Sequence, residues 1–279
     1  PSFGLCLSLC VVLAQSIKSF QQYRVFLTVI VIVLSTMAFY RNGVYTSRQI
    51  FWEDVIRKSP KLVRPYVNLG VAFIDEQRYD EALELFDRAL EIDARYEEAH
   101  SNKGLIFLRQ QKYDQALNEF NQAIVLNDRC LSAYHNRGLL YTNIGKQDLA
   151  LLDFNKAIEL NISHAESYNE RGNVYFNLGQ IEKAFNDYRR AIRYNPSYPE
   201  AFNNKGVAAN TLGQYDLATQ DFKAAITIDP NFSAAYYNLS YTEFKKGHQE
   251  KARIHLQRAI DLGYNIDSQY YFAVFKQEQ

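Results

Sequence analysis

Glycine recurs every 34 residues in this chain, at Gly70, Gly104, Gly138, Gly172 and Gly206, and the next step lands on Ser240. Twelve residues past each stands an alanine: Ala82, Ala116, Ala150, Ala184, Ala218 and Ala252. Four further on lie Phe86, Phe120, Phe154, Tyr188, Phe222 and Leu256, and three beyond those a second alanine, from Ala89 to Ala259. Four residues before each glycine place come Tyr66, His100, Tyr134, Tyr168, Phe202 and Tyr236. A fixed period of this length means one supersecondary unit repeated, each copy unable to bury its apolar face alone.

The order aromatic, small, alanine, aromatic, alanine, with Pro196 and Pro230 at the final place, resembles the tetratricopeptide repeat (TPR) family over residues 63 to 266. The resemblance implies an all-α superhelical solenoid of six helix-turn-helix repeats (63–96, 97–130, 131–164, 165–198, 199–232 and 233–266). Each unit is a helix A and an antiparallel helix B. The small residue on A admits B closely, and Gly145, Gly179, Gly213 and Gly247 mark the A-to-B turns as C-cap glycines. The 21 tyrosines are read as packing residues of these repeats.

The repeat phase extends beyond the six units. One period before Ala82, Phe86 and Ala89 lie Arg48, Trp52 and Val55, so Ser47 to Lys58 is expected to be a B-like capping helix within a junction at 41–62. At the other end, residues 267–279 are expected to hold a capping helix whose Tyr271, Phe272 and Phe275 cover the last repeat.

Residues 1–40 contain Lys18 and Arg24 as their only charges. Two apolar stretches, about 3–20 and 25–40, are expected to be one or two membrane helices ahead of the solenoid, with Arg24 and Arg41 snorkelling and Tyr23 and Tyr40 at the interface. The run Val29–Val33 is also compatible with a buried strand. The chain starts at Pro1 with an apolar run beginning at once, which reads as a sequence cut from a longer protein rather than a signal peptide. The 31 basic and 31 acidic residues balance, which argues against nucleic acid as partner.

The expected ligand is a protein or peptide, held on the concave face that the A helices line. Asn68, Asn102, Asn136, Asn204 and Asn238 stand two residues before the glycine places, with Glu170 breaking the series. Asn169 and Asn173 flank that break. A primary amide donates and accepts, so a ladder of them can pair with the backbone of an extended peptide. The series resembles the asparagine ladder in the TPR domain of O-linked N-acetylglucosamine transferase, which implies a similar use. The alternative reading is that these asparagines simply face water. One residue past each glycine place, Val71, Leu105, Leu139, Asn173, Val207 and Tyr241 make the groove apolar and amide-like. That counts against a carboxylate clamp, which needs Lys and Arg there.

No catalytic residue, cofactor or metal is expected. The five histidines fall at different repeat phases, His100 substituting for a packing aromatic, and no phosphate-binding loop or nucleophile elbow appears. Cys130 is a lone thiol.

One last resemblance concerns the junction. Pro1-Ser2-Phe3-Gly4-Leu5-Cys6, Tyr40-Arg41-Asn42-Gly43-Val44-Tyr45, Phe51-Trp52-Glu53-Asp54 and Lys58-Ser59-Pro60 are similar to the last-span-to-first-repeat region of the transmembrane-and-TPR O-mannosyltransferase-like proteins, departing at Tyr45, where Trp is commoner. This implies a membrane glycosyltransferase whose acidic catalytic loop lies upstream, with the repeats extracytoplasmic. The expectation is therefore a membrane-tethered binding module, either the acceptor-recognition part of such an enzyme or a non-enzymatic adaptor of an envelope complex.

Overall fold

The computed structural model describes Thr28 and residues 48–275, and all of the regular structure among the described residues from 48 onward is α-helical. Fourteen helices follow in order among those residues. They are α1 (Arg48–Lys58), α2 (Val63–Asp75), α3 (Tyr79–Ile92), α4 (Glu97–Arg109), α5 (Tyr113–Leu126), α6 (Leu131–Asn143) and α7 (Gln147–Leu160). Then come α8 (Ala165–Asn177), α9 (Ile181–Tyr194), α10 (Pro199–Thr211), α11 (Tyr215–Ile228), α12 (Ser233–Lys245), α13 (Gln249–Asp261) and α14 (Ser268–Phe275). They divide into two compact units, one up to Ala94 and one from Arg95 onward. The expected membrane stretches 3–20 and 25–40 lie outside the described residues apart from Thr28. No helix among the described residues is long and apolar enough to cross a membrane.

In the first unit, α2 and α3 form an A/B pair and α1 packs on α2, in the B-like place that the repeat phase assigns to it. Gln49 accepts a hydrogen bond from Arg78 at 3.2 Å, and Tyr66 donates to the Pro60 carbonyl at 3.1 Å.

The second unit holds the A helices α4, α6, α8, α10 and α12, each paired with the B helix that follows. Its core is a chain of small clusters, each straddling two or three repeats. Leu108, Ala116 and Phe120 of one repeat pack with Leu140 of the next. Ala209, Ala218 and Phe222 do the same with Leu239. A lone hairpin would leave half of each cluster in water, at a cost of about 1.5–3 kcal/mol per large side chain. Successive A helices also touch one another, so they line the inner side of this stack.

Two local devices shape every pair. The first is a close approach of A to B. A Cβ built on Gly104 would stand 2.5 Å from the Phe120 ring, and one on Gly138 2.7 Å from the Phe154 ring. In the last pair the small residue is Ser240, which carries a Cβ, and its partner shrinks to Leu256. Ser240 Oγ, fully buried, donates to the Ala252 carbonyl at 2.8 Å. The second device is the A-to-B turn. Gly145 takes φ +74°, with Lys146 N–H bonding Tyr141 at 2.8 Å and Gly145 N–H bonding Thr142 at 3.1 Å, the paired bonds of a Schellman C-cap. Gln77 and Gln111 occupy this place in the first two repeats, at φ 60° and 58°.

The C-terminal cap differs from expectation. α14 is described over Ser268–Phe275, and residues 276–279 lie outside the described residues. The helix sits one period after α12, so it is the A helix of a seventh unit. Tyr270 falls at the aromatic place and Val274 at the small one. Val274, not Tyr271, is buried against Ala252 and Leu256, with Tyr270 and Phe275 beside it. Tyr271 is 40% exposed, with its ring centre 4.7 Å from that of Phe275 on the same helix.

Candidate functional site

In the second unit the inner face is where six of the candidate asparagines lie, and three of them, Asn169, Asn173 and Asn204, bond to each other. Glu170 organises them. Its Oε1 accepts from Asn169 Nδ2 at 3.0 Å and its Oε2 from Asn173 Nδ2 at 3.0 Å. A carboxylate only accepts, so both amides must point their NH2 groups at it. Their Oδ1 atoms then face Asn204, whose Nδ2 donates to Asn169 at 3.0 Å and to Asn173 at 3.2 Å. The Tyr188 hydroxyl also donates to Asn173, at 2.9 Å, and burial raises its pKa and so keeps the phenol protonated, with Glu170 and Asp187 adding to the effect. One repeat on, Asn238 Nδ2 donates to Asn203 Oδ1 at 2.8 Å. Asn169 is only 2% exposed. The residue that looked like a break in the ladder is thus its hub. The sequence signal was there: a single acid beside Asn169 and three residues before Asn173 on a helix.

The seam between A helices is built differently towards the other end of this unit. Ser101 Oγ donates to Ser132 Oγ at 3.0 Å. His135 Nδ1 and His164 Nδ1 both meet Ser167 Oγ, at 3.0 and 2.8 Å. His164 Nδ1 also accepts the Ser167 backbone N–H at 3.2 Å, which makes it the unprotonated nitrogen and leaves His135 Nδ1–H as the donor. Burial, then the neighbouring His164, pushes the His135 pKa down to about 4. Asn102 and Asn136 make no side-chain hydrogen bond among the described residues. Leu105 and Leu139 lie three residues further along the same helices, half-buried.

Asn68 belongs to the first unit, half-buried on α2, with Val71 three residues on and 36% exposed. It too makes no side-chain hydrogen bond among the described residues.

Sequence reasoning missed a second motif. One residue before four of the six glycine places, Lys103, Arg137, Arg171 and Lys205 reach an acid sixteen residues later on the paired B helix. Arg137 and Arg171 grip Asp153 and Asp187 with two bonds each, at 2.7 and 2.8 Å. A third bond, at 2.6 Å, goes to Asn121 and Asn155 respectively. Lys205 gives Asp221 one contact at 2.8 Å, and Asp221 Oδ2 is buried without a partner. Burial outweighs Lys205 there and raises the Asp221 pKa. The third acceptor of the earlier repeats is replaced by Arg189 at the matching place, which would repel a guanidinium. His100 does more than fill an aromatic place: its Nδ1 lies 2.6 Å from Glu119 Oε2. Burial raises the Glu119 pKa, but the His100 hydrogen bond and Lys103 outweigh it, so the net shift is downward.

Among the described residues no group of His, Cys, Asp and Glu is arranged to hold a metal. Cys130 is buried, and burial raises its thiol pKa.

Family profiles described as "Tetratricopeptide repeat" match residues 61–126, 101–165, 154–186, 199–232 and 222–254, and one described as "TPR repeat" matches 172–209. No curated protein matches the chain. Among solved structures, a chain of the APC/C hetero-tetramer Cut9-Hcn1 is 19% identical with a TM-score of 0.73, covering 84% of this chain and 46% of that one. The present chain thus spans under half of that relative. Pseudomonas aeruginosa pilF is 16% identical with a TM-score of 0.68, covering 76% of this chain and 96% of that one. A thermophilic TPR protein of Thermus thermophilus is 23% identical with a TM-score of 0.57, covering 66% of this chain and all of that one. At these identities the likeness is one of fold.

Proposed function

The chain belongs to the tetratricopeptide repeat family, and from that premise we propose that it is a protein-protein interaction module that holds an extended peptide on the inner face of its A helices. The observation that carries this reading is the contrast along that face. Asn169, Asn173, Asn204 and Asn238 bond within the protein, whereas Asn102 and Asn136 keep their amides unspent beside Leu105 and Leu139. An amide flanked by apolar side chains suits a peptide backbone with an apolar residue next to the paired amide. Asn102 and Asn136 thus read the backbone, and Leu105 and Leu139 take the side chain. The other four asparagines hold the repeats in register.

The test uses a library of extended decapeptides panned against the full chain. Asn102→Ala with Asn136→Ala is expected to weaken the best binder about tenfold, the loss of one to two hydrogen bonds, at unchanged melting temperature. Equal affinity of wild type and double variant would refute the assignment.

Membrane tethering is a further part of the proposal, supported by the two apolar stretches within residues 1–40 and by the junction resemblance. In this reading the TPR part is extracytoplasmic and recognises acceptors for a larger glycosyltransferase; a membrane-anchored adaptor of an envelope complex is the alternative. Carbonate extraction of the expressed chain tests the tether: pelleting with membranes supports it, and full release removes it.

A further inference from the structure

We propose that the outer faces of α3 and α9 are complementary docking surfaces through which copies of this chain associate head to tail. α3 carries Asp80, Glu81, Glu84, Asp87 and Glu91 against one cation of its own, Arg88, which pairs with Glu91, while Arg78 just before the helix pairs with Glu81, so five acids face two cations. α9 carries Lys183, Arg189, Arg190 and Arg193 against Glu182 and Asp187. Asp187 points inward to Arg171, so it does not offset the outer charge.

All four cations of α9 are exposed, and among the described residues none makes an ion pair. Lys183 and Arg189 bond only to neutral carbonyls, those of Gln180 at 2.8 Å and Asn186 at 3.0 Å. Arg190 lies 5.7 Å from the centre of the Tyr168 ring.

The repeat makes the two stripes congruent. Glu81 and Lys183, Asp87 and Arg189, and Glu91 and Arg193 are each 102 residues apart, three periods, and so occupy the same places on their helices. Opposite charges with one spacing match along their whole length when two copies meet face to face. The B helices between them carry neither stripe: at the places of Arg189 and Arg193, α5 has Asn121 and Val125. Because the surfaces differ, the contact is heterologous, and each bound copy leaves one acidic and one basic face open to the next. Exposed charges attract weakly and are screened by salt, so the association is reversible and tuned by ionic strength.

Sedimentation velocity of the full chain, in a neutral detergent that keeps residues 1–40 dispersed, tests this. Self-association is expected at micromolar concentration in about 30 mM salt and is expected to weaken at least about tenfold in about 500 mM salt. Arg189→Glu with Arg193→Glu is expected to sediment as a monomer, and so is Glu84→Arg with Asp87→Arg. An equimolar mixture of the two variants is expected to associate again, because the acidic α3 of the first meets the basic α9 of the second. The recovery also shows that neither variant is merely unfolded. A wild-type chain that stays monomeric in low salt overturns the proposal, whatever acidic protein it captures instead. Association that survives either reversal, or a mixture that fails to recover it, also overturns the proposal.

Discussion

Gly138 and Phe154 state the packing rule of this protein in two residues. The ring sits where a Cβ would go, 2.7 Å from it. Gly138→Ala is therefore expected to cost about 1–3 kcal/mol in urea unfolding, since the ring or the helix must shift. The natural compensation is already present in the chain as Ser240 with Leu256. Gly138→Ser combined with Phe154→Leu should be less destabilised than the sum of the two single changes, and a double-mutant cycle measures the difference. At the turns, Gln111 holds φ 58° where later repeats use glycine. Gln111→Gly is expected to raise stability by about 1 kcal/mol, because an L side chain is strained in that region. His135 supplies a pH dependence. Its folded pKa is lowered from 6.5 to about 4 by burial first and His164 second. Between those values the unfolded chain binds a proton that the folded chain does not. Stability therefore falls as the pH drops from 6.5 towards 4, by about 3 kcal/mol over the window. His135→Gln should flatten that slope, as read from melting temperature against pH.

At the scale of helices, the glycine period and both alanines made the six pairs legible from sequence, because those places are fixed by backbone proximity and tolerate few residue types. The B-like α1 was legible too, from Trp52 and Val55 in phase. What could not be read was which way polar side chains would satisfy each other. Asn204 and Asn238 share their repeat place with Asn102 and Asn136, yet only the first two bond to neighbouring repeats. The difference comes from what stands around them. Glu170 orients Asn169 and Asn173, which in turn accept from Asn204, whereas a leucine stands three residues after Asn102 and after Asn136. α14 was misread at Tyr271, which looks like a covering residue until the repeat phase is carried through to Tyr270 and Val274. The ion pairs between A and B helices give an expectation of their own. Asp153→Asn leaves Arg137 buried and is expected to cost about 3 kcal/mol. Asp221→Asn should cost clearly less, since Asp221 has one contact, one orphaned oxygen and a pKa already raised by burial. Chemical denaturation of the two variants gives the comparison.

For the molecule as a whole, the inner face of the second unit is unequal along its length. Two of its candidate asparagines are unspent, and the others are committed to the protein's own seams. Recognition should accordingly be local, and Asn204 and Asn238 should matter to folding more than to binding. The most direct measurement is side-chain amide NMR of the full chain, with the Asn resonances assigned by single substitution, during titration with the best decapeptide. The expected result is that the amides of Asn102 and Asn136 shift with peptide concentration while those of Asn204 and Asn238 stay put. Shifts confined to Asn204 and Asn238, or to residues of the B helices, would contradict peptide capture by the inner face as described.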